Sequence, residues 1–126
     1  MKILVIDDDD ILRCLIGEPL RDAGHQVSVA TNGVDGMRLL SKERPDIVIT
    51  DILMPDQDGL GLIMAVRREW PTAKIIAISG GGAFGSLDLL VTASRLGADA
   101  TLAKPIMPEE LLDSVNRLVR EEARSA

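Results

Sequence analysis

MKILVIDDDD, residues 1–10, places four consecutive carboxylates directly behind the apolar run at residues 3–6. That run has no alternation of polar and apolar residues. It therefore reads as a strand buried on both faces, which is the habit of a parallel sheet. Charge runs are ordinarily solvated surface, and Asp9 or Asp10 can cap a helix carrying Leu12, Leu15, Ile16 and Leu20 to a stop at Gly24. What Asp7 and Asp8 do depends on what the rest of the chain brings beside them.

The pattern recurs along the chain. Residues 27–30 make a second strand, 47–50 a third that again ends in an acid, Asp51, 74–79 a fourth ending in Ser79, and 100–102 a fifth with Lys104 just beyond. Between them fall helices at 32–41, with Val34, Met37, Leu39 and Leu40 apolar, and from near Asp58 to Trp70, with Leu60, Ile63, Met64 and Val66. A further helix at 86–96 is closed by Gly97, and a last one opens at Pro108 with Glu109 and Glu110. Residues 54–59 read as a turn whose Asp56 and Asp58 cap the next helix, and Gly80, Gly81, Gly82 and Gly85 as a loose loop. Pro19 removes the bond to the carbonyl of Leu15 and, with Gly17 nearby, predicts a kink between Cys14 and Pro19. Five short strands separated by helices of crossover length give a parallel sheet covered on both sides. A length of 126 residues suits one domain, with no repeat, linker or remainder for a second.

Composition narrows the function classes. Aromatic residues are 2% of the chain, only Phe84 and Trp70, so stacking platforms for single strands are nearly absent. A net charge of -6 with scattered Lys and Arg argues against direct nucleic-acid binding. The lone Cys14 cannot close an internal disulfide and reads as a small apolar residue. No apolar run suits a signal peptide or a membrane span, so the expected compartment is the cytoplasm. His25, past Gly24, is expected to be exposed. Trp70, Met37 and Met64 are expected to pack, and Phe84 to be a candidate partner contact.

Ligands of an open parallel sheet bind outside the carboxyl ends of its strands. Asp7 and Asp8, Asp51, Ser79 and Lys104 all stand at such ends. Carboxylates gathered there repel, by about 4 kcal/mol per pair at 4 Å and an effective dielectric of 20, unless a cation compensates them. Mg²⁺, held through carboxylates, a backbone carbonyl and a phosphate, fits this oxygen-only inventory, and no Cys/His cluster argues for zinc. A carboxylate beside Mg²⁺ can attack a phosphoryl group to give an acyl phosphate. The transferred group needs a cation, a hydroxyl and N–H donors, which Lys104, Ser79 and the amides after Asp51 and Ser79 would supply. The glycines at 80–82 and 85 lack the Gly-Lys-Ser/Thr that a nucleotide-binding loop needs.

ILVIDDD at 3–9, PDIVITDILMPDQDG at 45–59, IIAIS at 75–79 and LGADATLAKP at 96–105, in this order and at these spacings, resemble the response-regulator receiver domain of two-component signalling in its stand-alone form. The resemblance spans essentially the whole chain, residues 1–126. It implies a doubly wound, flavodoxin-like (βα)5 fold with a five-stranded parallel sheet and helices on both faces. It implies Asp51 as the phosphoacceptor, Asp7, Asp8 and the backbone carbonyl of Leu53 as further Mg²⁺ ligands, Ser79 as the switch hydroxyl, Lys104 as the phosphate's partner, and a cis bond to Pro105. The implied donor is a sensor histidine kinase or a histidine phosphotransfer protein, and the output is an unidentified downstream protein. The chain would be a monomer or a phosphorylation-dependent dimer, no enzyme beyond its own phosphorylation and slow dephosphorylation.

Two features depart from the family's pattern. Thr101 stands where an aromatic residue often swings inward, and the Ser79-to-Lys104 stretch is longer than usual and glycine-rich, which makes residues 80–95 the expected moving part. Two other functions compete. A small Mg²⁺-dependent phosphohydrolase with an aspartate nucleophile would ordinarily carry that nucleophile after the first strand and a cap domain. A pseudo-receiver that binds partners without phosphorylation would lack one of Asp7, Asp8, Asp51 or Lys104.

Overall fold

The computed structural model describes residues 1–54, 57–79 and 86–125. Strand β1 (Lys2–Ile6) is followed by α1 (Asp10–Asp22), β2 (Gln26–Ala30), α2 (Gly33–Glu43) and β3 (Ile47–Asp51). A short ladder of β4 (Leu53–Met54) and β5 (Gln57–Asp58) leads into α3 (Gly59–Glu69), β6 (Lys74–Ser79), α4 (Ser86–Leu96), β7 (Ala100–Ala103) and α5 (Pro108–Ser125). The main sheet is five-stranded and parallel throughout, in the order β2-β1-β3-β6-β7. This is the doubly wound, flavodoxin-like arrangement expected from the sequence.

The unbroken apolar runs have a direct explanation. Successive residues of a strand point to opposite faces, and here both faces are covered. Leu4, Ile6, Val48, Ile75 and Ala77 face Leu40 of α2, Leu62, Ile63 and Val66 of α3 and Ala93 of α4. Ile3, Val5, Ile47, Ile49, Ile76 and Ile78 face Leu12, Ile16 and Leu20 of α1 and Leu111, Val115 and Leu118 of α5. Two apolar layers thus lock the register, since a one-residue slip would exchange every side chain between them. Because chain order reverses between β1 and β3, the acids that end those two strands become neighbours across the sheet.

Several local expectations need correction. The segment after β3 is not a simple turn: Leu53 pairs with Asp58 and Met54 with Gln57 in an antiparallel ladder. Pro55 and Asp56 lie outside the described residues, as do residues 80–85 with Phe84, so the expected cap Asp56 and the glycine-rich start of the expected moving part fall there, while Asp58 is in β5 and residues 86–95 are in α4. Helix α1 runs unbroken through Pro19. Its buried face, with Ile16 and Leu20 fully enclosed, keeps the helix in place, and Leu15 stands on the exposed side, where water can reach the carbonyl that Pro19 leaves unpaired. His25 is half-buried rather than exposed, and its pKa is lowered by that burial. Val34, Met64 and Cys14 are exposed, because α2, α3 and α1 bury narrower stripes than their apolar content suggests.

Gly59 opens α3 directly against the chain leaving β3. A Cβ there would lie 2.4 Å from the carbonyl oxygen of Ile52 and 2.5 Å from its Cα, both backbone atoms that cannot rotate away. Gly59→Ala is expected to lower stability by about 1–3 kcal/mol, read as a lower thermal midpoint, in line with overpacked sites generally.

The opposite end of the sheet is tied by Arg67. Its guanidinium donates to the carbonyls of Pro71, Ala73 and Gly97 and to Asp99, whose Oδ2 also accepts the Ile75 N–H. Gly97, at φ +128°, makes room for the Arg67 side chain 3.1 Å from where a Cβ would stand. The ends of α3 and α4 and the starts of β6 and β7 are thereby joined away from the acidic rim.

Candidate functional site

The carboxyl rim of the sheet assembles the candidate residues. Asp7 follows β1 and is buried, while Asp8 beside it is exposed. The Asp7 N–H continues the ladder by donating to the Ala30 carbonyl at 3.1 Å. Its Oδ1 accepts the Asp9 N–H at 2.9 Å, and Asp9 in turn caps α1 by accepting from the N–H groups of Ile11 and Leu12. The carbonyl of Asp7 accepts a 2.7 Å bond from Arg13, whose other guanidinium nitrogen is paired with Asp10. Strand end, turn and helix start therefore form one hydrogen-bonded unit.

Asp51 ends β3 and is also buried, at 2% exposure. Lys104 reaches it from beyond β7: Nζ donates to Asp51 Oδ2 at 2.9 Å. The Lys104 N–H is itself anchored on the Ser79 carbonyl at 2.9 Å, and the bond to Pro105 is cis, as expected. Ser79 is fully buried at the end of β6, one residue past Ile78, which is the strand partner of Asp51. Leu53 begins β4 two residues beyond Asp51. One expected donor is already engaged, since the Ile52 N–H donates to the Ile78 carbonyl at 2.8 Å; the amide after Ser79 lies outside the described residues.

One oxygen from each of Asp7, Asp8 and Asp51 can be chosen so that all lie within 4.8 Å of one another. That spacing places three acids around a volume suited to one hard cation. Asp7 carries the strain of the arrangement: burial, with Asp51 and Asp8 adding to it, pushes its pKa up to about 6 against the lowering pull of the Asp9 N–H and of Lys104. Among the described residues none donates to its buried Oδ2. An enclosed acceptor without a donor, on a residue that belongs to a group of acids, is what an oxygen-coordinated cation would satisfy. The donor set therefore fits a divalent metal. Lys104 is partly buried, which alone would lower its pKa, but its bond to Asp51 and the charges of Asp51, Asp7 and Asp9 raise it instead.

Asp7, Asp8, Asp51 and Lys104 thus meet at one place, with Ser79 on the adjoining strand. The reading from sequence passes over Arg13. Its spacing from Asp10 announces only a surface pair within a helix, and nothing in the pattern shows that it turns back to a backbone carbonyl.

Comparison with known proteins agrees with this geometry. Residues 3–116 match the model of the response regulator receiver domain, and the chain belongs to that family. It is 32% identical over 116 residues to sporulation initiation phosphotransferase F of Bacillus subtilis, covering 92% of this chain and 91% of that one. It is 30% identical over 118 residues to the chemotaxis protein CheY of Thermotoga maritima, covering 93% and 96%. The crystal structure of a response regulator receiver domain protein from Clostridium thermocellum superposes with a TM-score of 0.91 at 28% identity, covering 99% of this chain and 98% of that one. Other relatives are longer: the chain spans 48% of a probable transcriptional regulator of Guillardia theta. Receiver domains are autocatalytic phosphorylation switches rather than classical enzymes, and this chain is of that kind. Among the described residues no helix is long and apolar enough to cross a membrane.

Proposed function

We propose that Asp51 accepts a phosphoryl group from a phosphohistidine of a histidine kinase or phosphotransfer protein, and that the resulting acyl phosphate is a signal later lost by slow hydrolysis. The observation that carries this reading is the 2.9 Å contact of Lys104 Nζ with a buried Asp51 oxygen inside the three-acid cluster. A carboxylate oxygen of Asp51 attacks phosphorus, the bond from phosphorus to the donor imidazole breaks, and the imidazole leaves with a proton. Asp7, Asp8, Asp51 and the backbone carbonyl of Leu53 would hold Mg²⁺, which when bound offsets the charge of the acids and of the phosphoryl oxygens.

The chain's own groups do the rest. Lys104 orients the Asp51 carboxylate and then pairs with a phosphoryl oxygen without having to travel, because its backbone is anchored on Ser79. Ser79, at the end of the strand beside Asp51, would supply the switch hydroxyl that senses the phosphate. Burial of Asp51 and Asp7 limits the water available for hydrolysis. With Thr101 half-buried on β7, no ring is present at that position to flip, so the change would travel through the loop and helix themselves or through a smaller side chain toward the face of α4, β7 and α5.

Intact mass after incubation with acetyl phosphate tests the reading. The chain is expected to gain one phosphoryl group with Mg²⁺ and none with excess EDTA. No gain with Mg²⁺, or steady turnover of small phosphate esters in its place, would overturn it.

A further inference from the structure

The turn that carries Asp7 and Asp8 has an unusual dependence on one side chain. The N–H of Asp7 is held by the sheet through Ala30, and the N–H of Asp9 by the Asp7 carboxylate. The Asp7 carbonyl, just past the last strand residue, is taken up by Arg13, one turn into α1. Arg13 is 13% exposed, and its charge is paired with Asp10, whose own side chain is 87% exposed. Its work at the rim is thus geometric: it pulls the peptide between the two acids toward the helix.

Resting on the metal reading above, we infer that Arg13 is a positioning residue, which holds the Asp7–Asp8 peptide so that both carboxylates converge with Asp51 on one divalent cation. Arg13 also lines a cavity of about 290 Å³ with Asp10, Cys14, Arg21 and Val29, so water has a route to the place of the guanidinium once it is gone. A rotated peptide would splay the two acids while leaving Asp51, on β3, and Lys104, just past β7, in place. The loss then falls on cation affinity and not on phosphoryl transfer once the cation is bound.

Arg13→Met keeps the apolar stem and removes the donors, Arg13→Lys restores a single donor, and Asp10→Asn removes the partner alone. Direct Mn²⁺ binding to the unphosphorylated chain, followed by electron paramagnetic resonance, is expected to weaken about tenfold in Arg13→Met, as is common when a group orienting metal ligands is lost. The Mg²⁺ concentration for half-maximal phosphorylation by acetyl phosphate should rise by the same factor, while the rate at saturating Mg²⁺ changes by less than about twofold. Arg13→Lys should recover part of the affinity, and Asp10→Asn should match the parent chain. Unchanged Mn²⁺ affinity in Arg13→Met, or a saturating rate that falls as far as the affinity, overturns the inference. A parent chain that binds no Mn²⁺ and takes up no phosphate overturns both this and the proposed function, whereas a normal parent with an unaffected variant overturns this alone.

Discussion

Asp51→Asn is expected to take up no phosphoryl group from acetyl phosphate under conditions in which the parent chain takes up one. A carboxamide has no anionic oxygen to offer phosphorus, and its nitrogen lone pair is delocalised, so attack is lost outright rather than slowed. The fold should survive, because Asn has the same shape, its oxygen can still accept from Lys104 Nζ, and the neighbours of Asp51 in β3 are unchanged. The substitution also removes one of the charges that raise the Asp7 pKa, so that pKa should move down toward the ordinary carboxylate value. A variant that folds, shows the lowered Asp7 titration by NMR and stays unphosphorylated isolates Asp51 as the acceptor. Uptake by Asp51→Asn at the parent rate would place the acceptor elsewhere. Resistance of that adduct to hydroxylamine, which cleaves acyl phosphates, would point to a hydroxyl such as Ser79.

What was legible beforehand follows from which forces act locally. The central strands β1, β3 and β6 declared themselves because burial on both faces demands nearly uninterrupted apolar residues, and both layers supply that burial. The cap of α1 was readable as one of two neighbouring acids, of which Asp9 takes the role, since a cap acts within three residues of itself, whereas Asn32, read as the first residue of the second helix, is instead its cap. The acidic cluster was readable for a different reason: a parallel sheet sends the ends of all its strands to one rim, so chemistry can be gathered from chain order alone.

The missed features are those decided by contacts across space. The β4 and β5 ladder has two residues in each strand, too few for any periodicity to register. Pro19 removes a bond from α1 without ending it, because the buried faces of Ile16 and Leu20 outweigh the missing bond. Val34 and Met64 looked like core because composition gives no measure of how wide a stripe the sheet will cover. The Ile52 amide looked free as a donor until the register of β3 against β6 assigned it to Ile78. Arg13 is hidden in the same way, since its partner is a backbone carbonyl that every residue possesses.

Asp7→Asn is expected to raise the thermal midpoint of the metal-free chain at pH 8 and to abolish its response to Mg²⁺. The folded carboxyl titrates at about 6 against an ordinary value of 3.8. The folded state therefore holds the extra proton between those values and loses stability as pH rises through that window. The penalty is absent below the ordinary value and complete above about 6, where a shift of this size corresponds to about 2–3 kcal/mol. Asn removes the charge but keeps an oxygen to accept the Asp9 N–H, and its amide nitrogen can donate toward the neighbouring acids in place of the undonated Oδ2. A gain of about 5–10 °C is expected at pH 8, shrinking toward zero near pH 4. The parent chain should recover the deficit on adding Mg²⁺, by more at pH 8 than at pH 5, because the cation must displace the proton that Asp7 holds at the lower pH. Equal midpoints for parent and variant across this pH range would mean that the Asp7 carboxyl is hydrated and unstrained, and a variant still stabilised by Mg²⁺ would mean that the cation sits away from these three acids.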